Sequence, residues 1–168
     1  RFASLEILVD DYADDDYGDI GDEATDLPAD NRDTPGRIDR AGDIDSFRLT
    51  ASQAVTGDPK EQGVTVASVA ETSQQYVLRL GRLAQGMDAT VRVTTSSGVQ
   101  EYQTGILTYD AYWTLPLDLT PGEQVLVEVR HSNGQTANGS YAVSFGSPVA
   151  GEVSLNQGSS IFLPAVLR

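Results

Sequence analysis

The chain has no cysteine, one histidine, one methionine and one tryptophan in 168 residues. Without cysteine, thiol catalysis, disulfide staples and thiolate metal sites are excluded, whereas secretion is not. Helical periodicity is equally scarce: no window sustains an i, i+3, i+4, i+7 apolar pattern beyond a couple of turns, and sixteen glycines interrupt the rest. No apolar run approaches the roughly 18 residues of a membrane-spanning helix. There is no basic stripe either. Eleven Lys and Arg against 25 Asp and Glu set the net charge at −14, which leaves nothing to neutralise a nucleic-acid backbone or an anionic membrane surface. Arg1 rather than Met opens the sequence, and no signal pattern of basic, apolar and small-residue regions follows it. The expectation is a processed or partial chain.

Strand patterns fill the space that helices leave. Apolar and polar residues alternate in Ser46-Phe47-Arg48-Leu49-Thr50, Tyr76-Val77-Leu78-Arg79-Leu80, Ala89-Thr90-Val91-Arg92-Val93-Thr94, Gln124-Val125-Leu126-Val127-Glu128-Val129-Arg130 and Ser140-Tyr141-Ala142-Val143-Ser144-Phe145. Further strands are expected at 63–69, 101–108 and 111–117. Turn material separates them, as in Ser96-Ser97-Gly98, Thr120-Pro121-Gly122-Glu123 and Ser132-Asn133-Gly134. Short strands with one apolar face each, repeated at close intervals, predict an all-β fold: an antiparallel two-sheet β-sandwich, with Trp113, Phe47, Tyr141 and Phe145 in its core. Tyr109, Tyr112 and Trp113 lie close in sequence and admit a sugar-stacking reading, but alternation puts Tyr112 and Trp113 on opposite faces.

The predicted organisation is an N-terminal strand and acidic arm over 1–35, the sandwich over 36–147, and an extension over 148–168 with an apolar strand at its end. The two apolar terminal runs, 2–9 and 160–167, could tuck against the sandwich or pair with the sheet edge of a neighbouring copy.

The acidity is local. Fifteen of the 25 acidic residues fall within residues 1–45, densest in Asp10-Asp11-Tyr12-Ala13-Asp14-Asp15-Asp16-Tyr17-Gly18-Asp19, and Gly42-Asp43-Ile44-Asp45 follows ahead of a strand. Carboxylates this crowded repel one another unless they stay solvated or surround a cation. An all-oxygen donor set suits Ca2+, since zinc or iron would call for His or Cys. The EF-hand template fails, because counting from Asp14 places Gly18 fifth and Asp19 sixth. Two readings stay open. One is a solvated, flexible acidic linker. The other is an arm closed onto the body through a cation, with Asp43 and Asp45 reaching across from the turn before the Phe47 strand.

Asp15-Asp16-Tyr17-Gly18-Asp19, Ala24-Thr25-Asp26-Leu27, Gly36-Arg37-Ile38 and Gly42-Asp43-Ile44-Asp45-Ser46-Phe47-Arg48-Leu49 resemble the opening of bacterial pre-peptidase C-terminal domains. Pro121-Gly122-Glu123, Val125-Leu126-Val127-Glu128-Val129 and Gly139-Ser140-Tyr141-Ala142-Val143-Ser144 resemble their close, so the resemblance spans roughly 15–146. It implies a jelly-roll-like sandwich attached to secreted enzymes and surface proteins and not itself catalytic. In collagen-binding relatives, calcium lies between an acidic linker and the acidic turn before a strand. Carried onto this chain, that implies Asp14, Asp16 and Asp19 from the arm with Asp43 and Asp45 from the turn. Asp19 departs from the Asn of many relatives but still offers an oxygen. The aromatic surface of a collagen binder is not identifiable here.

An enzyme is the least expected class. The sole histidine, His131, falls at a strand end beside a hairpin turn and reads as a surface residue, and no carboxylate pair is favoured by spacing. The leading expectation is a calcium-stabilised accessory domain of a secreted or cell-surface protein, whose partner is a protein or polysaccharide at the cell surface. The alternative is a structural subunit of an extracellular filament, layer or larger complex, partnered by copies of itself through the terminal strands.

Overall fold

The computed structural model describes residues 16–52, 72–134 and 139–149. A turn of 3-10 helix (Gly21–Glu23) precedes the strands β1 (Thr25–Leu27), β2 (Thr34–Ile38), β3 (Ile44–Thr50), β4 (Gln74–Gly81), β5 (Ala89–Thr95), β6 (Gly98–Gln103), β7 (Tyr112–Leu119), β8 (Gln124–His131) and β9 (Gly139–Gly146). They form two sheets, ordered β1-β3-β8-β5-β6 and β2-β9-β4-β7. Apart from the short β1, the orders 3-8-5-6 and 2-9-4-7 are the connectivity of a jelly roll, so the predicted all-β sandwich is present. The antiparallel expectation has one exception among the described residues: β1 runs parallel to β3, with Thr25 beside Phe47 and Leu27 beside Leu49. The expected strand at 63–69 and both terminal runs lie outside the described residues.

Alternation builds the core. Val125, Val127 and Val129 of β8 point inward, as do Phe47 and Leu49 of β3 and Leu78 and Leu80 of β4, and all are buried. Trp113, Phe47, Tyr141 and Phe145 join them, as the sequence predicts. Each fully buried side chain of this size contributes roughly 1.5–3 kcal/mol. Tyr76 stacks on Phe145 at 5.0 Å within the four-stranded sheet, and Phe47 meets Tyr141 of the opposite layer edge-on at 6.5 Å between ring centroids. Among the described residues no helix is long and apolar enough to cross a membrane.

His131 corrects the surface reading. It is 7% exposed, because the inward phase of Val125, Val127 and Val129 carries on to the last residue of β8. Its Nδ1 accepts the Asn133 amide at 3.3 Å, so the ring closes the turn from inside.

Candidate metal centre at the arm and the β3 turn

The turn between β2 and β3 is closed by Gly42, whose φ of +80° is a conformation other residues resist. The Asp43 amide donates to Arg40 O at 3.2 Å. Asp43 Oδ2 accepts the Asp39 amide at 2.6 Å, so this carboxylate is spent partly on holding the turn and is only 1% exposed. Two residues on, Asp45 occupies the inward phase of β3, in line with Phe47 and Leu49, and is 0% exposed. Its Oδ2 accepts a short hydrogen bond from the Tyr141 hydroxyl, which comes from β9 in the opposite sheet. Tyr141 fits because its neighbour in β2 is Gly36: a Cβ there would lie 2.3 Å from the Tyr141 Cζ.

The acidic arm is fastened to this turn. Ser46 N–H donates to Gly18 O at 3.1 Å and Ile44 N–H to Asp19 Oδ1 at 3.3 Å. Arg40 reaches Asp19 Oδ2 at 2.7 Å. The Tyr17 ring packs on Phe47 with centroids 4.8 Å apart, and its hydroxyl donates to Pro35 O at 2.6 Å. Residues 16–19 therefore run alongside β3 where β1 later takes over the pairing, and alternate amides of β3 find acceptors in the arm.

Four of the five sequence-designated acids can be placed. Asp19 and Asp43 share Arg40, whose guanidinium lies 2.7 Å and 3.9 Å from them. The charges of Asp16 and Asp45 both act on the two phenols. Burial first, and then the charges of Asp16 and Asp45, raise the Tyr17 phenol above 10.0. The Tyr141 phenol stands well above 10.0, through burial first and then the charge and hydrogen bond of Asp45, with Asp16 adding to it. Asp14 lies outside the described residues. Among the described residues no three Asp, Glu, His or Cys side chains gather as a metal-ligand set. The donors present are all oxygens and two of the carboxylates are already desolvated, a chemistry that fits a hard divalent cation once a further acid joins them. Nothing in the sequence marks Arg40 or Tyr17 for this site. Tyr141 lies in the core as alternation predicts, but its hydroxyl reaches across to the acid, which alternation cannot reveal.

The aromatic triplet also separates as alternation predicts. Trp113 is buried in the core, Tyr109 is exposed, and Tyr112 turns outward, with its hydroxyl donating to Asp33 Oδ2 at 2.8 Å.

No protein-family model matches the chain, and no curated protein matches it. Solved structures similar to it include the pre-peptidase C-terminal domain of a collagenase from Bacillus anthracis, at 12% identity and a TM-score of 0.47, covering 73% of this chain and 94% of that one. A cycloisomaltooligosaccharide glucanotransferase from Paenibacillus sp., solved with cycloisomaltoheptaose, aligns at 15% identity and a TM-score of 0.34 over 74% of this chain and 20% of that one.

Proposed function

We propose that this chain is a non-catalytic accessory domain of a secreted or cell-surface bacterial protein, a binding or spacer module whose acidic arm is pinned by calcium. One observation supports the reading: the acidic arm is hydrogen-bonded to the strand entry that carries the buried Asp43 and Asp45, through Gly18 O to Ser46 N–H and Asp19 Oδ1 to Ile44 N–H. Desolvated carboxylates set beside further carboxylates are costly unless positive charge compensates them, and the Arg40 guanidinium that reaches Asp19 and Asp43 is half-exposed. A calcium ion would supply the remaining charge. Asp14, Asp16, Asp19, Asp43 and Asp45 would hold it, a set of hard oxygens in keeping with extracellular calcium levels.

Thermal melting with calcium and with a chelator tests this. A ligand that binds only the folded form stabilises it by about 2.7 kcal/mol at a hundredfold excess over its Kd. At roughly 2–4 °C per kcal/mol for a chain of this size, calcium is expected to raise Tm by about 5–10 °C. Asp45→Asn should abolish the rise. An identical Tm in calcium and chelator sinks the proposal.

A further inference from the structure

The outer face of the four-stranded sheet carries a cleft of about 260 Å3. Its floor is a cross-strand row in which Arg79 of β4 sits between Thr114 of β7 and Ser144 of β9. Arg79 is 8% exposed, and its guanidinium donates to Asn31 Oδ1 at 2.8 Å, to Ser147 O at 3.2 Å and to Val77 O at 3.3 Å, which fixes the group in place. Asp33 stands on one wall and Asp110 on another. Tyr112 lines the same cleft, packed onto the sheet at Gly81, where a Cβ would fall 2.5 Å from the Tyr112 Cδ1. The Tyr112 hydroxyl is gripped at both ends, donating to Asp33 at 2.8 Å and accepting from Arg82 Nε at 3.1 Å. Burial and the bond to Asp33 raise this phenol above 10.0 and keep it protonated.

The cleft thus combines a fixed donor, carboxylate acceptors and an aromatic ring. Asp33 is paired with Arg82 at 3.1 Å from outside the lining, which leaves Arg79 against Asp110 in the cleft, so an ionic ligand meets as much repulsion as attraction. A ligand that both donates and accepts, with apolar C–H surface to lay on a ring, uses every group. The volume lies just under the ~300 Å3 at which sites for drug-sized molecules begin, which is room for a single ring. We propose that this cleft binds one uncharged pyranose residue of a polysaccharide. The proposal rests on reading the domain as a binding module and gives that module its ligand class.

The test titrates the isotope-labelled full chain with methyl glucoside, galactoside, mannoside and N-acetylglucosaminide, following backbone amides by NMR. At least one glycoside should give saturable shifts centred on Arg79, Tyr112, Thr114 and Ser144. Tyr112→Ala should weaken it about tenfold through loss of the ring. Asp110→Ala, at an exposed position, should weaken it about threefold without disturbing the fold. The proposal is overturned if no glycoside moves these amides, if both variants bind like the parent, or if glucuronate or glucosamine binds more tightly than the neutral sugars. The calcium-dependent melt is read separately, so a silent cleft with an intact calcium response would leave a spacer, not a sugar binder.

Discussion

Asp45 stands where alternation reserves a place for an apolar side chain, and the phenol of Tyr141 is turned onto it from the facing sheet. Removing that phenol takes a hydrogen bond away from a buried carboxylate. Tyr141→Phe is therefore expected to cost about 1.5–3 kcal/mol, the range for a hydrogen bond to a charged group, measured by urea unfolding. The same pair sets an alkaline limit. Tyr17 and Tyr141 have phenols raised above 10.0 in the fold, so between the unfolded and folded values the native state holds protons that the unfolded chain has lost. Stability is then full below about pH 10 and falls as pH rises beyond it. Tyr141→Phe should flatten that decline, and a pH series of unfolding curves with an unchanged slope would contradict the assignment. Thr114 shows the opposite case. Its Oγ1 is buried without a hydrogen-bond partner among the described residues, so Thr114→Val should be neutral or stabilising by up to about 1 kcal/mol.

Strands were legible where their faces differ, and illegible where the pattern was too short or too polar. β3, β4, β5, β8 and β9 follow from alternation alone. β1 has three residues, Thr25-Asp26-Leu27, and gains its place only from pairing with β3. β2 begins Thr34-Pro35-Gly36, which reads as turn material; Pro35 is tolerated because β2 is an edge strand, and Gly36 because Tyr141 needs its space. Composition marks the two acidic stretches but leaves a solvated linker and a closed arm both open. The depth of burial of Asp43 and Asp45 was not, since acids are almost never fully buried and nothing in sequence marks the exception. Gly36→Ala tests the fit between β2 and β9: overpacking of this kind costs about 1–3 kcal/mol, seen as a lower urea midpoint at constant m-value. A midpoint equal to the parent would show that Tyr141 has room to move.

Across the molecule, −14 is an unevenly distributed charge with its weight at the N-terminal end. Sodium chloride screens such repulsion over a Debye length of about 10 Å at 0.1 M, so salt alone should raise Tm modestly in chelator. A specific calcium effect must exceed that of sodium chloride at matched ionic strength; equal curves would reduce it to screening. The connectivity has a consequence of its own. Among the described strands, successive ones lie in different sheets except β5 and β6, and the interior strands β8 and β9 come last. Beyond the β5–β6 hairpin neither layer grows by local pairing, because β3 waits for β8 and β2 for β9. Topologies of this kind fold in milliseconds to seconds, not microseconds, and until β8 and β9 arrive the valines and aromatics of the earlier strands stand open to water and to one another's neighbours.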